Sequence, residues 1–369
     1  MNTITFSLSG TYIFYLSLII IPPLLVRRRN NEEAKKWMWV LSWLILTLPI
    51  AFRYNTGVDW KLYEYAFNNI VNHGGNYLTS SYNIEITFKL FTWISYKLCG
   101  NSILLFFIYG GLSNLFAFIG IYRFKKTVNP AWALFIYTSL LYFIQYNLGR
   151  QFLAMMILFA GTKEIIDRKF IKYLIWIFVA SLCHNTAVLM VLLYFFGVAI
   201  DDKSKYRRFM NVLFYVGSVV ALFSMEQLIS VVAFLLGSTK YDSYYITGSV
   251  SLGFGILIQV FMLGFMFVSY KRNSCGLKDN KPLLNYCMRS FFLYNIMFLL
   301  QYVMANFGGR IALYYLPTEM LLFGQMLDGI KFKKMKMKGG YLRLLLLLFI
   351  FARVIYGIAS NSQGHVPYS

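Results

Sequence analysis

The residues best suited to chemistry in this sequence lie in four separated stretches, each of which carries an arginine or a histidine. Each stretch falls at the end of an apolar segment, next to residues that favour turns. In chain order the stretches are 53–63, 149–151, 184–187 and 308–315. An arginine fork donates two parallel hydrogen bonds and suits diphosphate, and histidine accepts a proton most readily near neutral pH. Together they predict a site that holds an anionic group and moves a proton.

Three side chains are candidates for the proton acceptor. His184 is preferred, because it lies at a polar break between two short apolar segments. Asp59 comes second, since it follows Gly57 and could also orient an acceptor group. Glu85 comes third, because an ion pair with Lys89 one helical turn away explains its presence structurally. Structural explanations also exist for the other two, since Asp59 can cap a turn and His184 can be a hydrogen-bonded turn residue.

The predicted binding residues combine arginines with neighbouring polar and aromatic side chains. They are Arg53, Tyr63, Arg150, Gln151, Arg310 and Tyr314. An arginine at a helix end also anchors a membrane protein at the lipid interface, so this alternative stays open for each arginine.

The elements that must position these residues are apolar helices. Apolar residues make up 59% of the 369 residues and charged residues 13%, and the mean hydropathy is +0.58. Soluble domains are close to 45–50% apolar and about 25% charged. We therefore predict an all-α integral membrane protein with about twelve transmembrane helices, within a range of about 10–14, some short or re-entrant. The whole chain, residues 1–369, forms a single polytopic domain in this interpretation.

The distribution of basic residues predicts the topology. The net charge is +21, and 25 of the 35 Lys and Arg residues fall in six connectors between apolar segments. This pattern is typical of cytoplasmic loops and argues against a nucleic-acid partner. The six connectors are 27–36, 123–126, 163–172, 201–208, 271–281 and 331–338. Placing them inside puts both termini and residues 53–101 on the outer face.

The outer region 53–101 is predicted to be a loop that contains an interfacial helix. Segment 84–98 has an apolar helical stripe, and Glu85, Lys89 and Thr92 face the other side. The four cysteines are scattered without a Cys-x-x-Cys spacing, so neither a disulfide framework nor a metal site is predicted.

Glu226, Glu319 and Arg353 are among the charged residues that fall within apolar segments. A charge near the centre of a bilayer costs about 2.5–3.5 kcal/mol, so we expect these residues to line an internal groove or to pair with one another.

The ordered set of motifs resembles the EpsG family of bacterial polysaccharide polymerases, relatives of the Wzy O-antigen polymerases. The matching pieces are Arg53-x3-Gly57-x-Asp59-x3-Tyr63, Glu85-x2-Phe88-x-Leu90, Arg150-Gln151-x2-Ala154, His184-Asn185-Thr186-Ala187, Arg310-x3-Tyr314 and Pro367-Tyr368. Between residues 201 and 305 only the hydropathy corresponds.

The resemblance implies a GT-C-like glycosyltransferase that uses no metal, cofactor or nucleotide sugar. Such an enzyme joins oligosaccharide repeat units carried on undecaprenyl diphosphate, at the outer face of the bacterial plasma membrane. The polymers of this group include lipopolysaccharide O-antigen and exopolysaccharide. The implied partners are the lipid-linked oligosaccharides and the lipid bilayer, with a chain-length regulator as a further candidate.

Two other functions stay open at this stage. An O-antigen ligase would use the same arginine and histidine chemistry, and the sequence separates it poorly from a polymerase. A flippase for lipid-linked sugars would place charges along a path through the membrane and often shows an inverted repeat, of which we find none in the sequence.

Overall fold

The computed structural model describes residues 7–28, 32–72, 84–198, 207–223, 260–265, 281–300, 307–328, 340–360 and 368. The regular elements of these residues are helices, as predicted. The α-helices are α1 Leu8–Leu25, α2 Lys36–Ala51, α3 Trp60–Asn72, α4 Ile86–Cys99, α5 Ile103–Arg123, α6 Pro130–Ile136, α7 Gly149–Ala160, α8 Thr162–Ile166, α9 Phe170–Cys183, α10 Val191–Val198, α11 Arg207–Phe223, α12 Lys281–Leu300, α13 Phe307–Ala312, α14 Thr318–Asp328 and α15 Gly340–Ser360. Shorter 3₁₀ and π-helical turns span Tyr137–Leu141, Tyr142–Tyr146, Asn185–Met190 and Leu313–Tyr315.

Among the described residues, three helices are long and apolar enough to cross a membrane, which agrees with a multi-pass membrane protein. They are α1, α5 and residues 340–359 of α15. The apolar segments α2, α9 and 185–195 are shorter than a perpendicular span requires. The number of about twelve transmembrane helices and the GT-C-like architecture remain predictions.

Helices α5 and α7 form the centre of the described structure. Every residue of α7 from Gln151 to Ala160 is buried, and α7 packs along α5, which in turn packs against α2. Gly120 allows the close approach, because a Cβ there would come within 2.4 Å of the Phe159 ring. The helix that carries Arg150 in its first turn is therefore enclosed by neighbouring elements along its length.

A polar contact compensates for a proline inside α1. Pro23 has no N–H group, so the carbonyl of Ile19, four residues earlier, loses its helical hydrogen bond. The Thr138 hydroxyl of the π-helical turn donates to this carbonyl at 3.0 Å. The irregular segment 137–146 thereby docks on α1.

The structure differs from the sequence predictions in the region 53–101. The loop expected there contains an additional helix, α3, which buries Tyr63, Phe67 and Ile70 on one face. The segment predicted as an interfacial helix corresponds to α4, and two of the residues on its polar side are largely buried. Thr92 is fully buried and the Glu85 side chain is only 8% exposed. The reason is that α4 packs against α3, α5 and α9 rather than against one surface.

Two of the charges predicted inside apolar segments, Glu319 and Arg353, lie near each other. The Arg353 Nη1 atom on α15 is 3.9 Å from the Glu319 Oε2 atom on α14, and Glu319 is buried. Glu226 lies outside the described residues.

Candidate functional site

Glu85 is held at the N-terminus of α4 by contacts across the fold. It occupies the N-cap position of that helix. Two residues later, the Thr87 hydroxyl donates to the carbonyl of Leu182 at 2.8 Å, near the end of α9. This contact brings the start of α4 beside the residue that follows α9, which is His184.

His184 breaks the helical path between α9 and the 3₁₀ turn that follows. Its backbone is extended, with φ −157° and ψ 117°, and its N–H caps α9 by donating to the carbonyl of Ala180 at 3.0 Å. Its Nδ1 atom lies 2.9 Å from the Oε1 atom of Glu85. The polar break predicted at this position is therefore present, and the imidazole points at a carboxylate.

Arg150, in the first turn of α7, binds the other oxygen of the same carboxylate. Its Nη1 donates to Oε2 of Glu85. Its backbone N–H donates to the Tyr63 hydroxyl at 3.4 Å, and its guanidinium lies 5.7 Å from the Tyr63 ring and 5.8 Å from the Phe88 ring. We refer to Glu85, Arg150 and His184 as the Arg150 cluster.

The Arg150 cluster is mostly shielded from solvent. The exposed fractions of the side chains are 8% for Glu85, 22% for Arg150 and 17% for His184. Burial alone would raise the pKa of Glu85, but the hydrogen bond with His184 and the charge of Arg150 lower it to about 2. Glu85 is therefore ionised at any physiological pH.

An ionised Glu85 determines which nitrogen of His184 carries the proton. A carboxylate only accepts hydrogen bonds, so Nδ1 of His184 must donate the proton that it shares with Glu85. In the neutral imidazole, Nε2 then has the free lone pair. This is the arrangement that orients a histidine as a general base in carboxylate–histidine pairs of hydrolases.

The motif Arg310-x3-Tyr314 lies near the same end of α7. The Gln151 side-chain amide donates to the backbone carbonyl of Arg310 at 2.5 Å, and the hydroxyls of Thr186 and Tyr314 are 3.0 Å apart. The Arg310 side chain is exposed. The structure thus brings Tyr63, Arg150, Gln151, Glu85, His184, Arg310 and Tyr314 into one connected region.

Arg53 lies beside this region in an environment of its own. Its Nη1 donates to the carbonyl of Tyr146 at 2.6 Å, and its guanidinium lies 4.7 Å from the Phe106 ring. Gly57 approaches the same carbonyl: its φ is +99°, and a Cβ there would lie 2.6 Å from the Tyr146 oxygen. Gly57 is therefore required by both backbone conformation and space.

Asp59 is not part of the Arg150 cluster. It lies half-buried in the turn before α3, where its backbone carbonyl accepts a hydrogen bond from the Tyr63 N–H at 3.0 Å. Within the described part of the chain, its side chain makes no ion pair with the cluster.

Sequence reasoning missed Thr87, Gln145 and Tyr146, which hold or border the site. Thr87 and Tyr146 act through a hydroxyl and a backbone carbonyl whose partners are distant in sequence, so no local pattern marks them. Gln145 carried a signal, since an amide within an apolar stretch needs a reason to be there. In the described ranges no group of three His, Cys, Asp or Glu side chains could hold a metal ion.

Comparison with known protein families matches residues 36–369 to the EpsG family. No curated protein and no solved structure matches the chain.

Proposed function

We propose that this chain, which belongs to the EpsG family and thereby to the membrane proteins of polysaccharide synthesis, is a polysaccharide polymerase. Its substrates are oligosaccharide repeat units linked to undecaprenyl diphosphate. The growing chain moves from one lipid carrier to a sugar hydroxyl of the next unit. The observation that carries the proposal is the Arg150 cluster, in which an ionised carboxylate orients an imidazole beside an arginine.

His184 acts as the general base. As the acceptor oxygen bonds to the anomeric carbon of the donor sugar, its proton moves to Nε2 of His184. Glu85 does not take the proton, because its pKa of about 2 makes it too weak a base. It holds the imidazole in the correct tautomer and balances the positive charge that forms on it. In this assignment Glu85 is a positioning residue, and Asp59 is set aside as a base because it lies outside the cluster.

The arginines compensate the charge of the leaving group. When the bond between the anomeric carbon and the diphosphate oxygen breaks, the electron pair stays on the lipid diphosphate. Arg150 uses Nη1 for Glu85, and its Nε has no hydrogen-bond partner among the described residues, so donors remain for a phosphate oxygen. Arg310 adds an exposed guanidinium at the same end of α7. Tyr63 accepts a hydrogen bond from the Arg150 backbone, Gln151 binds the Arg310 carbonyl, and Tyr314 contacts Thr186.

The reaction takes place at the outer face of the bacterial plasma membrane in this proposal. By the distribution of Lys and Arg, the N-terminal end of α7, which carries Arg150, faces outside. The C-terminal end of α7, near Arg123 of α5, faces inside. The lipid-linked substrates reach that face through the bilayer, and the chemistry requires neither a metal nor a nucleotide sugar. A chain-length regulator is a further candidate partner.

The test is polymerisation by purified protein supplied with lipid-linked repeat units, with product length resolved on a gel. General-base catalysis typically contributes about 10²–10⁴-fold in rate, so His184→Ala is expected to lose polymer within that range. Val188→Ala, an exposed apolar position of the turn that follows, serves as the folded control. A His184→Ala protein that elongates at the control rate would refute the assignment of the base.

The same assay separates the alternatives. A ligase would transfer a glycan once to a different acceptor lipid and would give no ladder of products. A flippase would give no transfer at all but would move a labelled lipid-linked unit across a sealed vesicle membrane. A ladder that grows with time is expected only for a polymerase.

A further inference from the structure

Tyr368 lies beyond the end of α15 and is buried against α1 and α2. Its backbone N–H donates to the Thr11 Oγ1 atom of α1 at 3.1 Å, and its hydroxyl donates to the Pro49 carbonyl of α2 at 2.8 Å. Its ring lies 4.8 Å from the ring of Phe14. The motif Pro367-Tyr368 has no part in the proposed reaction, yet its tyrosine joins two helices through hydrogen bonds that are shielded from solvent.

The hydroxyl of Tyr368 binds a carbonyl in the last turn of α2. That helix ends at Ala51, and the last four carbonyls of a helix have no regular partner within it. If the helix continued, the Pro49 carbonyl would bind the N–H of Arg53, which lies outside it. Tyr368 therefore supplies the donor that a buried carbonyl needs, and the backbone just before Arg53 is held from outside the helix.

A row of aromatic rings connects Tyr368 with the 3₁₀ turn that precedes α7. The Tyr368 ring lies 6.2 Å from the fully buried Tyr15 ring, which in turn lies 4.9 Å from the Phe143 ring. Phe143 stacks on Tyr146 at 6.1 Å. The Tyr146 carbonyl accepts the hydrogen bond from the Arg53 side chain at 2.6 Å. Tyr368 thus supports both partners of this last contact, one through α2 and the other through the rings.

We propose that Tyr368 is a positioning residue, which holds the end of α2 and the turn before α7 together and so fixes the first turn of α7. The inference rests on the proposed function, because that function assigns the reaction to the Arg150 cluster, and Arg150 lies in this turn. Tyr368 touches no reacting group in this assignment. It acts through the backbone of the two segments that it joins, and Thr11 holds it in place on α1.

The first arm of the experiment measures amide hydrogen exchange in purified full-length protein in detergent and needs no polymerisation. Tyr368→Phe removes only the hydroxyl, and Tyr341→Phe, at a position of α15 that is 74% exposed, is the matched control. The net contribution of one hydrogen bond corresponds to about fivefold in a local opening equilibrium. Exchange in residues 49–60 and 142–150 is therefore expected to rise about fivefold in Tyr368→Phe and to stay unchanged in the control. Helix α9, which packs on α4 and α7, is the internal reference.

The second arm measures elongation rate per folded molecule against substrate concentration. Tyr368→Phe is expected to lower kcat at least about threefold with KM within twofold, because a displaced catalytic group slows the reaction without weakening substrate binding. Thr11→Val removes the acceptor of the Tyr368 N–H and should have the same effect, whereas Thr11→Ser keeps a hydroxyl and should restore the rate. The Thr11 pair carries the test if Tyr368→Phe folds poorly.

The two arms separate a positioning role from simple packing. Faster exchange in both segments, together with a lower kcat in Tyr368→Phe and Thr11→Val and recovery in Thr11→Ser, supports the proposal. Lower thermal stability with an unchanged kcat per folded molecule means that Tyr368 only packs, and unchanged exchange in residues 142–150 means that it does not hold the turn; either result overturns the proposal. A wild-type protein that forms no polymer refutes the proposed function, and the exchange arm alone then decides whether Tyr368 holds the turn before α7.

Discussion

The two ends of α7 carry closely similar ion pairs. At one end Arg150 pairs with Glu85, and just beyond the other end Arg123 pairs with Glu164. The arginine side chains are 22% and 25% exposed, and the glutamates 8% and 9%. Each arginine also lies near aromatic rings, with Trp176 at 5.9 Å from Arg123. By charge, burial and aromatic contacts the two pairs are almost equivalent.

They differ in what else the carboxylate and the arginine bind. Arg123 uses both of its terminal nitrogens on Glu164, at 2.8 and 2.5 Å, and also donates to the carbonyl of Ala160 at 2.6 Å. This saturated arrangement locks α5 to the end of α7. Glu85 instead divides its two oxygens between Arg150 and His184. The comparison teaches that a buried ion pair does not by itself identify a site, whereas a carboxylate shared with a histidine points to chemistry.

The largest expected difference between the two ion pairs appears when each glutamate is neutralised. We expect Glu85→Gln and Glu164→Gln to lower the free energy of unfolding by similar amounts, on the order of a few kcal/mol each. Both substitutions leave a partly buried arginine without its charge partner. Polymerisation should fall by roughly 10²-fold in Glu85→Gln, because the amide no longer fixes the tautomer of His184. In Glu164→Gln the rate per folded molecule should stay within about twofold.

Rates and thermal denaturation in detergent, measured on the same preparations, check this prediction. Equal losses of rate per folded molecule at the two positions would show that the Glu85 pair is structural like the Glu164 pair.

The second prediction exchanges each arginine for lysine, which keeps the charge but removes the planar fork. Arg150→Lys should retain the contact with Glu85 yet lose the remaining donors to a phosphate, so we expect the rate to fall about tenfold. Arg123→Lys should lose the bidentate contact and thus stability, with little change in rate. The assay is initial elongation rate against substrate concentration. A larger loss of rate per folded molecule in Arg123→Lys would reverse the assignment.

Much of the fold and part of the site could be predicted from the sequence, for definite reasons. The apolar segments 102–122 and 170–183 correspond closely to α5 and α9, because long apolar runs with clear polar ends determine helix limits. The break at His184 was visible because polar residues interrupt such a run. Helix α3 was missed, since its mixture of polar and aromatic residues resembles an outer loop.

The pairing of Glu85 was also beyond sequence reasoning. Its neighbour Lys89 offered a local partner, while the actual partners are 65 and 99 residues away. Contacts between residues so far apart in sequence are determined by the packing of α4 against α5 and α9, which local periodicity does not specify. The same limitation concealed the environment of Arg53, whose partners lie on α5 and in the turn before α7.

The third prediction uses pH to sharpen the difference between a base and a positioning carboxylate. The pKa of Glu85 is lowered from 4.5 to about 2, so its contribution to stability is present above pH 4.5 and is lost as the pH falls toward 2. The difference in thermal stability between wild type and Glu85→Gln should therefore not shrink above about pH 5, and it should shrink in more acidic solution. A difference that already shrinks between pH 7 and 5 would mean that Glu85 titrates there and is itself available as a base.

The smallest change in elongation rate is expected for Asp59→Asn. This substitution tests whether Asp59 is the general base or only stabilises the turn. Asp59 lies in the turn that Gly57 makes against Tyr146, and its backbone carbonyl accepts the first hydrogen bond of α3 from Tyr63. Its side chain makes no ion pair with the Arg150 cluster among the described residues, so it is not placed to take a proton through Glu85 or His184. Asp59→Asn keeps the shape of the side chain and its ability to accept a hydrogen bond in the turn. We therefore expect the elongation rate to change by less than about threefold, well below the general-base range. The pair of variants decides the matter: a dead Asp59→Asn together with an active His184→Ala would transfer the role of base to Asp59. In that case the carboxylate–histidine contact at the end of α7 would be as structural as the Arg123 pair at the other end.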